Sequence, residues 1–172
     1  MDLPTILDIE ASGFGRGSYP IEVGFVAADG ALFCGLIRPE PDWLHWDDGA
    51  EALHGISREL LQRHGRPVPW MAEQLNARLR GQVVYCDGWG HDYPWLARLF
   101  DAAGMRPSFR LDDLRRLLDE HEALRWRGVT EAVRARQQLS RHRASADARV
   151  LQLALDEVKN GVALQAASSV PR

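Results

Sequence analysis

Lysine is almost missing from this chain. Lys159 is the only one, and arginine supplies the rest of the 21 basic side chains. The basic residues do not outnumber the acids: 24 Asp and Glu leave a net charge of −3, so no global basic field advertises nucleic-acid binding. Cysteine is equally scarce. Cys34 and Cys86 each fall inside an expected strand, which excludes a disulfide framework and suits a reducing cytoplasm. No apolar run approaches membrane-spanning length. The start, MDLPT, has no basic region followed by an apolar run, so a signal peptide is not expected and a cytoplasmic location is. No internal repeat is visible either.

What is present reads as one domain with a real core: 172 residues, 45% hydrophobic and 26% charged. Thr5 to Glu10 reads as a strand apolar on both sides, which suits a central strand covered on both faces. Ile21 to Ala28 and Ala31 to Ile37 read as a hairpin turning at Asp29-Gly30. Residues 42 to 56 look irregular. Helices are expected over Ser57 to Gln62, with Ser57 as N-cap, and over Trp70 to Leu79. Gln82 to Cys86 is an apolar strand, and Asp87 to Gly90 a turn. A helix follows from Tyr93 to Ala103, stopped by Gly104. Phe109 to Leu111 is a short strand leading into a helix through Leu118. His121 to Gln138 is helical with a break near Gly128, and a last helix covers Ser145 to Val158. The expected class is α/β, a mixed sheet with a central first strand flanked by helices. The domain is placed at residues 1–159 and a disordered tail at 160–172.

The first strand also carries chemistry. Side chains alternate along a strand, so Asp8 and Glu10 share a face with Ile6, while Leu7 and Ile9 share the other. Two neighbouring carboxylates repel, and burial makes this worse. A hard divalent cation reverses the sign of that interaction; a solvated strand end is the plainer alternative. Further acids turn up at helix starts. Trp95, Leu96, Leu99, Phe100 and Ala103 form an apolar stripe, and Asp92 heads it one turn earlier. Capping would also explain Asp92, with Pro94 in the first turn. Val150, Leu151, Ala154, Leu155 and Val158 form a second stripe headed by Asp147, with Ser145 as the better N-cap. Four acids thus converge on the end of a central strand. His142 lies five residues before Asp147, roughly 140° away on a continuous helix, so it belongs in the loop ahead of that helix. A surface histidine between Arg141 and Arg143 is the duller reading.

These blocks are recognisable together. Asp8-Ile9-Glu10 with Ala11-Ser12-Gly13, then Ala52-Leu53-His54-Gly55-Ile56-Ser57, then Asp92 with Trp95 and Leu96, then His142 through Asp147, resemble in order the DnaQ-like 3′–5′ exonucleases of the DEDDh class. The likeness runs from Thr5 to about Val158. It departs before the second acid, where many members have a His-Asn pair and this chain reads Cys86-Asp87-Gly88-Trp89-Gly90-His91. Asp87 competes with Asp92 for the ligand role there; Asp92 is preferred because the apolar stripe follows it. The segment 42–49, with Trp43 and Trp46, has no counterpart in the family.

The resemblance implies a ribonuclease H-like fold and a stand-alone hydrolase that frees nucleoside 5′-monophosphates from the 3′ end of single-stranded RNA or DNA, or of a 3′ overhang. It implies two Mg²⁺ or Mn²⁺ ions held by Asp8, Glu10, Asp92 and Asp147, with Asp8 bridging. His142 would be the general base, a role suited to histidine's ordinary pKa of about 6.5. The backbone at Ala11 and Ser12 would contact the terminal nucleotide, with His54 near it. Small stand-alone relatives are often dimers, so a homodimer is within the expectation, and no membrane is. Two rival classes stay open: a nucleic-acid-binding module without catalysis, and a phosphodiesterase for small nucleotides. Among the tryptophans, Trp95 and Trp70 read as core. Trp89 is expected to pack rather than stack on bases. The arginine-rich stretch from Arg106 to Arg149 is either a solvated helical face or a local basic rim for phosphates.

Overall fold

A computed structural model describes residues 3–137 and 142–160. The expected tail beyond Asn160, and Gln138 at the end of an expected helix, lie outside them. Five strands form one sheet: β1 (Thr5–Ala11), β2 (Pro20–Val26), β3 (Leu32–Leu36), β4 (Val83–Cys86) and β5 (Arg110–Asp113). The helices are α1 (Asp48–His54), α2 (Arg58–His64), α3 (Val68–Leu79), α4 (Trp89–Ala102), α5 (Glu120–Gln137) and α6 (Ala144–Asn160), with a 3₁₀ turn over Leu114–Leu117.

The sheet order is β3-β2-β1-β4-β5, so β1 is central as expected. It runs antiparallel to β2 and parallel to β4, and β4 runs parallel to β5. The α/β class with a mixed sheet therefore holds. The parallel strands β1 and β4 end at the same edge of the sheet. In open α/β sheets that carboxyl edge is where ligands bind, and α4 starts there, three residues beyond Cys86.

Alternation along β1 separates two cores. Leu7 and Ile9 enter one with Met71 and Leu75 of α3 and Leu96 and Phe100 of α4. Ile6 enters the other with Trp126 and Val133 of α5 and Leu151 and Leu155 of α6. Each large aliphatic side chain fully buried this way contributes roughly 1.5–3 kcal/mol. The acid-bearing face of β1 is thus the face covered by α6. Among the described residues, no helix is long and apolar enough to cross a membrane.

Several local expectations need correction. Segment 42–56 is not all irregular. Asp47 caps α1 by accepting from the N–H groups of Gly49 and Ala50, and Gly55 ends it at φ +68°. Trp43 is buried in the core, and Trp46 donates its indole N–H to Glu51 at 2.7 Å. The turn before α4 is shorter than expected. Gly88 is the N-cap, and Asp92 lies inside the first turn, its N–H given to the Gly88 carbonyl at 2.9 Å. Asp92 is therefore not the cap. Helix α5 runs through Gly128 without a break because Trp126 and Val133 on either side are buried. Ser145 sits inside α6, and Asn160, placed in the tail by sequence, completes that helix. Trp70 is half-buried at the core's margin under the Arg66 guanidinium, 5.3 Å from its ring centre. Trp89 is exposed and lies against Tyr93. The Ser57 cap is present, accepting from Leu60 N–H at 3.1 Å.

Candidate active site

At the carboxyl edge of β1 opens a cavity of about 880 Å³. Asp8, Glu10, Ala11, His54, Asp92, His142 and Asp147 all line it. Strand β1 supplies the first three. α4 and α6 each supply one acid from the first turn, where a carboxylate suits the helix dipole. His142 lies ahead of α6 in a left-handed conformation, φ +57°. One ligand atom each of Glu10, His142 and Asp147 falls within 4.8 Å of the others. Asp8 and Asp92 share the cavity but lie outside that tight set.

The electrostatics are those of crowded acids. Burial, then the carboxylates of Asp92, Glu10 and Asp147, hold the Asp8 carboxyl well above the usual range, against some relief from Arg134. Burial first, then Asp147, Glu22 and Asp92, push Glu10 up to about 7. Burial likewise pushes Asp92 up to about 7, and its Oδ2 is buried with no hydrogen-bond partner. Asp147 is paired with Arg134 of α5. Asp87 also lines the cavity, but its carboxylate is engaged: Oδ1 accepts from Arg115 Nε at 2.6 Å and Oδ2 from Trp126 Nε1 at 3.4 Å. Of the two contenders, Asp92 is the one with a free, buried oxygen.

The donor set fits divalent cations. Oxygen-rich and anionic, with one orphaned carboxylate oxygen, it is costly while bare and suited to hard ions.

The residues expected to meet substrate divide. Ala11 lines the cavity. His54 does too, and its Nδ1 accepts from Ile56 N–H at 3.0 Å, which leaves the proton on Nε2, a buried atom without a partner. Burial depresses its pKa, against the pull of Glu51 and Glu22. Ser12 does not line the cavity. Its N–H goes to Tyr19 O, its carbonyl accepts from Asp47 N–H, and its hydroxyl contacts His45 Nδ1 at 3.0 Å. The next residues, Gly13 and Phe14, line the cavity with Ala11. Gly13, at φ +135°, must be glycine: a Cβ would sit 2.5 Å from that of Asp47. Segment 42–49, unplaced by sequence, is thus the brace behind the end of β1.

Sequence reasoning also missed Phe14 and His91. Phe14 is 64% exposed at the cavity, its ring 5.1 Å from His91 and 5.9 Å from Trp95. An apolar side chain directly after a glycine loop beside paired acids was the available signal. Arg115, Arg127 and Arg134 of the arginine-rich stretch line the cavity, each paired with an acid: Asp87, Glu131 and Asp147 in turn.

No protein-family model matches the sequence, and no curated protein matches it. Solved structures do. Exonuclease I of E. coli, in its zinc-bound complex with single-stranded DNA, has a TM-score of 0.67 at 14% identity over 93% of this chain and 42% of that one. Exonuclease I from Methylocaldum szegediense has a TM-score of 0.71 at 15% identity over 94% of this chain and 42% of that one. A product-bound exonuclease I has a TM-score of 0.69 at 16% identity over 92% of this chain and 44% of that one. The chain spans about two fifths of the length of these proteins. What it shares with them is the ribonuclease H-like α/β fold.

Proposed function

We propose that this chain is a metal-dependent 3′–5′ exonuclease acting on single-stranded nucleic acid or 3′ overhangs. The observation that carries the proposal is the set of four carboxylates and one histidine around one cavity, with Glu10, His142 and Asp147 within 4.8 Å. The exonuclease I structures of the same fold include complexes with single-stranded DNA, which favours a single strand as substrate. A mixture of acids and arginines suits a phosphodiester. The acids hold cations, and the arginines attract the flanking phosphates.

Asp8, Glu10, Asp92 and Asp147 would hold two Mg²⁺ or Mn²⁺ ions. These supply an activated water and Lewis acidity at the scissile phosphate when bound. His142 takes the proton of the attacking water at a ring nitrogen. His54 Nε2–H and the backbone from Ala11 to Phe14 orient the terminal nucleotide, and Phe14 offers a face on which its base stacks. Arg134, which lines the same cavity and is paired with Asp147, would lie within reach of a phosphate bound there. The products are nucleoside 5′-monophosphates.

The test is degradation of 5′-labelled single-stranded DNA and RNA of one sequence, with Mn²⁺ or Mg²⁺ against EDTA. A ladder shortening from the 3′ end, lost in EDTA and reduced at least about 10³-fold in Asp8→Ala and His142→Ala, is expected, since an activated water and a general base each contribute that order. A folded protein that leaves both polymers intact under either metal overturns the reading. Turnover of a mononucleotide ester alone would make it a small-nucleotide phosphodiesterase.

A further inference from the structure

Glu10 on β1 and Glu22 on β2 are direct cross-strand partners. Like charges placed opposite each other destabilise a sheet, yet Glu22 is fully buried. Its carboxylate is saturated by the residues next to His142. Arg143 Nη2 donates to Oε1 at 2.7 Å, Arg143 Nε reaches Oε1 at 3.1 Å and Oε2 at 3.2 Å, and Ala144 N–H donates to Oε2 at 2.9 Å. So the first free N–H of α6 is capped by a residue 122 positions away in sequence. Two residues along the same face of β2 stands Gly24, opposite Asp8. A Cβ there would lie 2.3 Å from Ser145 N and 2.6 Å from Ala144 C. The start of α6 is therefore seated directly on the β2 backbone. His142, immediately before it, holds a positive φ, uncommon for a non-glycine residue.

We propose that Glu22 and Arg143 form a clamp that positions His142 over Glu10 and Asp147, with Gly24 providing the close seat, so that their main effect on the reaction runs through His142. This rests on the proposed function in taking His142 as the base. Neither residue lines the cavity, and neither is needed to hold a cation. The bidentate fork defines an orientation as well as a distance, which a lysine at 143 would not reproduce. Because Arg143 follows His142 directly, rotating its anchor swings the imidazole. A misplacement of about 1 Å is enough to lower turnover on the order of 100-fold.

The experiment compares the full chain with Arg143→Met, Arg143→Lys and Glu22→Gln by two readouts. One is kcat and KM on a single-stranded oligonucleotide. The other is the position of the His142 imidazole relative to bound Mn²⁺ in crystal structures of each protein, which reports ring-to-ion distance without requiring turnover. Expected for Arg143→Met is a kcat loss of about 10–100-fold with KM and Mn²⁺ affinity within about threefold, together with a ring displaced from the ions by about 1 Å or more. Arg143→Lys should recover little. In a His142→Ala background Arg143→Met should add little, because the two residues act as a unit. Arg143 is half-exposed, so its variants keep the test intact if the buried Glu22→Gln fails to fold. Unchanged kcat and ring position in the Arg143 variants overturn the clamp. So does an equal loss with and without His142, and so does a wild-type His142 ring that does not face the Mn²⁺ ions. If the ring faces the ions in the wild type and is displaced in the variants, and no polymer is cut, then the clamp stands and the exonuclease reading falls.

Discussion

Asp92 places a buried oxygen, Oδ2, where nothing donates to it. A carboxyl pushed by burial from 3.8 to about 7 corresponds to at most roughly 4 kcal/mol held against the ionised form. Asparagine keeps the shape and removes the charge. Asp92→Asn is therefore expected to stabilise the metal-free protein at pH 8 by on the order of 2–4 kcal/mol, measured by urea unfolding in EDTA. The same variant should lose most of the stabilisation that Mn²⁺ gives the wild type. A destabilised variant in EDTA would mean that the Asp92 charge is satisfied within the protein. Asp92 was legible in sequence because it heads an apolar stripe, and Asp8 and Glu10 because a strand alternates. Ser12 marks a limit of the same scale. Position after the acids says which residue is near the cavity, but hydrogen bonds decide which backbone atoms are free. Those of Ser12 go to Tyr19 and Asp47.

Helix ends and breaks show how far local signals carry between elements. Ser57 and Gly104 mark their helices by their own chemistry, and both marks are where the sequence puts them. Helix α5 is also locally signed, by a reciprocal pair in which Asp119 N–H donates to Glu122 and Glu122 N–H to Asp119, each at 2.8 Å. The break expected at Gly128 does not occur because packing of α5 on α6 outweighs one glycine's propensity. That glycine is exposed, in helical conformation, and a Cβ there would meet nothing within 4 Å. Gly128→Ala should then stabilise the protein by about 0.5–1 kcal/mol with no change in hydrolysis, read by thermal and urea unfolding. Destabilisation would mean that the helix opens at this point in solution. Helix α6 is the opposite case. Its cap is Glu22 on a distant strand, so no inspection of the residues around Ser145 could have found it. That is also why β2 looked like plain sheet in the sequence.

The whole molecule is arranged so that burial which stabilises the sheet also strains the site. Both faces of β1 are covered, and the price is that Asp8, Glu10 and Asp92 end the core as acids that resist ionising. Each has a folded-state pKa raised above its ordinary value, to about 7 for Glu10 and for Asp92. Folding therefore favours the protonated forms. The associated stability is fully present below the ordinary carboxylate range near 4 and is lost as pH rises through about 7. Cations that bind the ionised carboxylates work in the other direction, stabilising the folded state by RT ln(1 + [M]/Kd), about 2.7 kcal/mol at a hundredfold excess over Kd. For a chain of this size that is a rise in Tm of roughly 5–10 °C. In EDTA, Tm is expected to fall between pH 5 and pH 8. With saturating Mn²⁺ or Mg²⁺ the fall should be largely abolished, so that metal raises Tm strongly at pH 8 and little at pH 5. Calcium ions, which also prefer carboxylate oxygens but tolerate looser geometry, should restore Tm more than they restore hydrolysis. A Tm that rises toward pH 8 in EDTA, or that ignores Mn²⁺ at pH 8, would mean that the acid cluster is held by the protein's own arginines rather than kept for cations.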